Sequence, residues 1–291
     1  MLTLFTDTDT DFTPEVAKEY GYHLISMPYS IDGKTIWPYE DFEVFDSHAF
    51  YDGLRNGILP TTGGISKERY LNYFCPEFEQ GNDILYVHFS AAMTVTFRAM
   101  DEAVAELLNE FPERKFYHVD TKGITIVSYN IVREIGDLVK AGKTADEVLA
   151  WADREVLHFA QYFFADDLKF FRHSGRVSGI AGTMGTLLGI RPIIYMNEEG
   201  KMVSIGKEKG RVKAMEKLVS YVEQLGEDVK DHRVLVGHTD SPEIAKEVES
   251  MLKARCGDDL NTMIVDVNPT AGSHCGPNTV GVCFHGKRRT L

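Results

Sequence analysis

The sequence predicts an α/β protein of two domains. Residues 1–160 form an N-terminal α/β domain with a wound, mostly parallel sheet and flanking helices, and residues 161–291 form a C-terminal α+β domain with a mixed sheet. Three observations predict it. In the first half, short apolar runs bounded by turn residues alternate with amphipathic stretches, as parallel strands joined by helical crossovers do. In the second half, hairpin signals are mixed with helices, which requires some antiparallel pairing. The chain has 291 residues, 43% apolar and 11% aromatic, enough for two cores rather than one oversized one.

Taken in order, Leu2 to Phe5 reads as a buried strand entering the turn Thr6-Asp7-Thr8-Asp9-Thr10. Thr13 caps a helix that starts at Pro14, where the missing N–H costs nothing. Tyr22 to Tyr29 reads as one strand, and Ile31-Asp32-Gly33-Lys34 as a turn into the next. Phe42, Phe45, Phe50 and Leu54 fall near one side of a helix, Pro60 to Gly64 is a loop, and Ser66 caps the helix carrying Tyr70 and Phe74. Ile84 to Phe89 and Phe116 to Asp120 are strands separated by a helix over 94–111. Helices then run from Ile124 to Ala141 and from the Thr144 cap to about Ala160. In the second half, Tyr162 to Leu168 reads as a strand, and Ile193 to Met196 and Met202 to Ile205 as a hairpin. A helix over 212–225, a strand from Arg233 to His238, a helix capped by Ser241 and strands near Met263 and Gly281 complete the chain. Glycines at 175, 179, 182, 185 and 189 recur at helical spacing, which would clear one face for a close approach.

Composition narrows the function. With 31 Lys+Arg against 44 Asp+Glu, the net charge of −13 disfavours nucleic acid and anionic membrane surfaces as general partners. No apolar run approaches a membrane span, and the first residues lack the layout of an export signal, so a cytoplasmic protein without stable membrane insertion is expected. The four scattered cysteines read as reduced thiols, and the dispersed histidines give no metal-ligand spacing. No nucleotide-binding glycine loop is present, so no cofactor is expected.

Ligands of wound sheets sit beyond the C-terminal ends of the strands, where Thr6 to Thr10, Thr61, Thr62 and Ser90 would gather. Together with Thr94 they offer neutral hydroxyl donors suited to an oxyanion, although capping and turn closure is the commoner use of such residues. His274, in the small-residue segment Gly272 to Pro277, reads as a loop histidine able to donate to an anion. Arg172, His173 and Arg176 form a compact basic cluster that suits an acidic partner or a phosphate, or else a solvated loop. A hydrolase or phosphotransferase using Ser90 and His274, with Asp7 as third member, remains open, although His88-Phe89-Ser90-Ala91-Ala92 lacks the glycines of a nucleophile elbow. A regulatory sensor whose ligand changes domain packing also remains open.

Seven segments in order resemble the DegV family of bacterial fatty-acid-binding proteins, some of which are the acyl-carrying subunit (FakB) of a two-component fatty acid kinase. They are Thr6-Asp7-Thr8-Asp9, Pro60-Thr61-Thr62, Phe89-Ser90 with Thr94 to Phe97, Asp120-Thr121, Ser174 to Ser178, Gly189 to Ile194, and His274 to Gly281. The resemblance implies a long-chain fatty acid buried between the two domains. Its carboxylate would be held by Thr62 and Ser90, with Thr61, Thr94, Arg176 and His274 around them. It implies no catalysis by this chain itself and a separate kinase catalytic subunit as partner, for which the basic cluster at Arg172 and Arg176 is the expected docking surface. The sequence departs from the family at Gly63-Gly64, Ala91, Val95, Arg191 and Asn278. If the second serine of the family doublet holds the carboxylate, Ala91 removes it and Ser90 or Thr94 must substitute.

Overall fold

A computed structural model of the chain describes residues 1–178 and 189–290, with the side chain of Ser178 left aside. The N-terminal part contains β1 (Leu2–Asp7), α1 (Pro14–Tyr20), β2 (Tyr22–Ile25), β3 (Tyr29–Ile31), β4 (Lys34–Ile36), α2 (Ser47–Arg55), β5 (Thr61–Thr62), α3 (Lys67–Glu79) and β6 (Asp83–His88). It continues through α4 (Thr96–Glu110), β7 (Phe116–Asp120), α5 (Ile126–Lys140) and α6 (Ala145–Glu155). The C-terminal part runs β8 (Phe159–Phe164), α7 (Lys169–Ser174), β9 (Val177–Ser178), β10 (Ile190–Met196), β11 (Met202–Lys209) and α8 (Arg211–Leu225). It ends with β12 (Val234–His238), α9 (Pro242–Cys256), β13 (Thr262–Asp266), α10 (Pro269–Cys275) and β14 (Val280–His285).

The α/β class holds. The first sheet has the order β2-β1-β6-β7 and is parallel throughout. The second has the order β13-β12-β14-β8-β10-β11-β9 and is mixed, with β14 antiparallel to both β12 and β8. Several local signals act as the sequence suggests. Thr13 accepts from Val16 N at the start of α1, Ser66 accepts from Arg69 N at α3, and Thr144 and Glu147 close a reciprocal capping box at α6.

Several expectations need correction. The helix after Thr144 ends at Glu155, the strand read from Tyr162 to Leu168 runs over Phe159–Phe164, and Phe42 and Phe45 precede α2. The run from Tyr22 to Tyr29 is two strands, because the segment Ser26-Met27-Pro28 leaves the first sheet and β3 joins β4 and β5 in a small third sheet. Thr61 and Thr62 are not a free loop: they pair antiparallel with Ser30 and Tyr29. Ser241 precedes α9 without capping it, since its hydroxyl donates to Thr239 O and Asn278 Oδ1. His274 lies on α10 rather than in a loop. The small residues there serve packing, because a Cβ on Gly272 would fall 2.2 Å from the Tyr51 hydroxyl, which donates to Val267 O. The glycines at 179, 182 and 185 lie outside the described residues; Gly175 ends α7 with φ +65°.

The cores do not respect the divide between the sheets. Phe5, Phe74 and Tyr86 share one cluster with Phe163, Ile194 and Met202. Leu4, Ile131 and Val132 share another with Phe159, Leu235 and Cys283. The chain end adds a polar clasp: the buried Arg289 guanidinium donates to the carbonyls of Lys122, Thr121 and Val156. Burial of this cation holds its pKa down to about 10. Among the described residues, no helix is long and apolar enough to cross a membrane.

Candidate functional site

A cavity of about 580 Å³ lies in the crevice between the sheets, within the ~300–1,000 Å³ typical of small-ligand sites. The loops after β1 and β6 reach it from the carboxyl ends of the parallel strands, as wound sheets require. Most of its interior wall is apolar, including Met27, Phe89, Ile124, Ile126, Phe163 and Met202. Exposure marks the mouth: Gly63, Gly64, Ala92, Val95 and Arg176 line the cavity and are open to solvent.

At this mouth β5 and α10 meet. Thr62 Oγ1 and His274 Nε2 share a hydrogen bond of 2.9 Å. The pairing of β5 with β3 fixes Thr62, and the Asn268 cap, accepting from Ala271 N, fixes the start of α10. Burial, reinforced by the charges of Arg176 and His173, holds the His274 pKa down to about 4, so the ring is neutral at neutral pH. Its buried Nδ1 has no hydrogen-bond partner among the described residues. Arg176 places a cation on the same wall while donating to Ser174 O.

Four of the expected site residues therefore meet on one cavity: Thr62, Thr94, Arg176 and His274. Thr94 Oγ1 also accepts from Thr96 N. Thr61 is exposed, pairs with Ser30 and is not on the wall. Ser90 is fully buried behind the wall, where its hydroxyl donates to Gly200 O at 2.8 Å and accepts from Ala92 N. It does not reach His274. Asp7 is likewise committed elsewhere, accepting from Tyr86, Phe89 N and Asp9 N, and burial pushes its pKa up to about 7. The three members of the open triad are thus not brought together. Arg172 and His173 are exposed at the end of α7.

The inner wall is completed by Asp9, from the Thr6 to Thr10 turn expected at the ligand end, and by Thr125 and Gln161, which the sequence reading did not single out. Asp9, Thr125 and Gln161 are buried and line the cavity. Burial and the neighbouring Asp7 and Asp11 carboxyls drive the Asp9 pKa well upward. One signal was visible: Gln161 is a lone amide in the apolar run Phe159 to Phe164. For metals, His48, Asp52 and Asp240 gather near one another among the described residues. Arg55 already bonds both carboxylates, at 2.8 and 2.5 Å, which makes the group a surface ion-pair network.

Comparison with known proteins identifies the family and the fold. The family model described as an uncharacterised protein of the DegV family matches residues 1–287. A DegV domain-containing protein of Clostridium perfringens is 28% identical over 284 residues, which cover 97% of each chain. Two solved structures share the fold. A DegV family protein from Eubacterium eligens loaded with heptadecanoic acid has a TM-score of 0.84 at 19% identity, covering 99% of this chain and 100% of that one. The fatty acid kinase B3 protein of Streptococcus pneumoniae loaded with linoleic acid has a TM-score of 0.83 at 14% identity, covering 99% and 100%. With the family match spanning nearly the whole sequence and the fold coinciding along its length, the chain belongs to the DegV family.

Proposed function

We propose that this chain binds a long-chain fatty acid in the cavity between its sheets and presents the carboxylate, at the mouth, to a separate kinase that forms the acyl phosphate. The observation that carries the reading is the arrangement of the cavity. Its interior is mostly apolar, while Thr62, Thr94, Arg176 and His274 stand together on its wall, with Arg176 at the solvent-facing rim. Burial of about fourteen methylenes at ~0.8 kcal/mol each exceeds 10 kcal/mol gross, so the tail supplies the retention and the head group needs only to be satisfied.

The head-group chemistry follows from the Thr62–His274 pair. When the Thr62 hydroxyl donates to Nε2, the ring proton resides on Nδ1, the atom left without a partner, and that N–H donates to the carboxylate. Thr62 is then a positioning residue, His274 and Thr94 supply neutral donors, and Arg176 supplies the countercharge. Ser90 and Thr61 take no part in this arrangement. The acyl-laden neighbours, one of them a fatty acid kinase B protein, support the ligand class and the partner. A cytoplasmic setting suits both that partner and the four unpaired cysteines.

Native mass spectrometry of the purified protein, followed by denaturing extraction, tests the reading. Release of about one fatty acid per chain, followed by its conversion to acyl phosphate by an added fatty acid kinase catalytic subunit with ATP, is expected. A protein that stays empty after incubation with long-chain acids overturns it.

A further inference from the structure

The cavity also holds polar groups where a plain hydrocarbon tail has no use for them. Asp9 and Gln161 are only 5% and 4% exposed, and both line the cavity. Asp9 Oδ1 and Gln161 Oε1 are buried with no hydrogen-bond partner among the described residues. Thr125 ties the two residues together: its backbone N–H donates to the Asp9 backbone carbonyl at 2.8 Å, and its hydroxyl accepts from the Gln161 side chain at Nε2, 3.1 Å away. Thr125 itself has φ +57° and ψ −131°, a strained conformation for a β-branched residue.

Such a constellation is costly against an alkyl chain. An unpaired buried amide or carboxyl loses its water without replacement, so a ligand that satisfies these atoms gains over one that does not. Burial, with the neighbouring Asp7 and Asp11 carboxyls, pushes the Asp9 pKa upward and so favours the neutral acid, which can donate as well as accept. Gln161 presents the second amide atom, the first being taken by Thr125. A hydroxyl is the smallest chain-borne group that both accepts from a carboxylic acid and donates to an amide oxygen, and it serves equally if the amide is turned over. An ionised carboxylate has no proton to offer the Gln161 oxygen, whereas a hydroxyl has.

We propose that Asp9 and Gln161 form a second, interior polar subsite that receives a hydroxyl carried on the acyl chain, so that the favoured ligand class is a hydroxylated long-chain fatty acid. This rests on the carrier reading above and specifies its substrate. It is separate from the head-group site, because Thr62, Arg176 and His274 meet at the mouth whereas Asp9, Thr125 and Gln161 are enclosed.

The test is competition at equal concentration between stearic acid and each of a set of monohydroxystearic acids with the hydroxyl at successive positions, read by native mass spectrometry on the full chain. At least one isomer is expected to displace stearic acid by about tenfold or more, since a site built to bond a hydroxyl discriminates against the analogue lacking it. In Gln161→Leu that preference is expected to fall to near parity. Two results overturn the proposal while leaving the carrier reading intact: stearic acid binds and no isomer is preferred, the subsite then holding water, or the preference persists in folded Gln161→Leu. If neither stearic acid nor any isomer binds, both readings fall. The wild-type competition decides even if the variant does not fold.

Discussion

The Ser90 hydroxyl donates to the carbonyl oxygen of Gly200 at 2.8 Å and so ties the end of β6 to the β10–β11 hairpin across the two sheets. Gly200 has φ +79°, and a Cβ there would sit 2.2 Å from Ser90 Oγ. Both the conformation and the space require glycine. Gly200→Ala is therefore expected to destabilise the protein by about 2 kcal/mol or more, read as a fall in the urea midpoint. Ser90→Ala leaves the Gly200 carbonyl unpaired and is expected to cost about 1–2 kcal/mol with no loss of bound acyl chain. A loss of lipid in a stably folded Ser90→Ala would instead make Ser90 a head-group ligand.

The Thr62–His274 pair predicts a different signature. His274→Ala removes the Nδ1 donor and is expected to speed release of a bound fatty acid about tenfold, the equivalent of one hydrogen bond to a charged group. Thr62→Val, which removes the hydroxyl that sets the tautomer, should speed release by a smaller factor. Dissociation followed by transfer to delipidated albumin checks both. Release rates unchanged in both variants would remove the head-group assignment.

The proposed docking of a kinase at Arg172 and Arg176 can be tested apart from ligand retention. Arg172 is exposed, whereas Arg176 also lines the cavity. Arg172→Glu is expected to raise the KM of an added fatty acid kinase catalytic subunit for the loaded protein by about tenfold, because a rim charge acts mainly on association, while extracted lipid per chain stays the same. Equal kinetics for variant and wild type would place the docking surface elsewhere.

How much of this was legible in the sequence depends on the range of the determining contacts. The Thr13, Ser66 and Thr144 caps act within one helical turn, so local residues reveal them. Alternation of apolar runs with amphipathic stretches likewise exposed the parallel sheet, because each crossover is a local unit. His274 was misplaced in a loop because Gly272 and its small neighbours read as turn formers; what requires them is Tyr51, more than two hundred residues earlier, packed against α10. The engagement of Ser90 is hidden for the same reason. A serine at a strand end is a natural site residue until Gly200, distant in sequence, takes up its hydroxyl. Gln161 was a detectable anomaly in an apolar strand, but its partner Thr125 and its place on the cavity wall come from tertiary packing alone.

The buried acids make a final prediction about pH. Asp11 accepts from both the backbone and side-chain nitrogens of Asn268, yet burial still pushes its pKa from 3.8 up to about 7. Between those values the folded chain holds a proton that the unfolded chain has released. The stabilising effect of holding the neutral form is complete below about pH 4 and is lost as pH rises to about 7. Asp11→Asn does not titrate and its amide oxygen can still accept from Asn268. The variant should therefore match or fall slightly below wild type at pH 4 and exceed it increasingly up to pH 7, then level off. The gain cannot exceed about 4 kcal/mol and is reduced by the amide nitrogen, which replaces Oδ2, an oxygen without a partner among the described residues. Urea midpoints of both proteins at several pH values across this range measure the difference, and a difference independent of pH would show that Asp11 ionises normally in the folded chain.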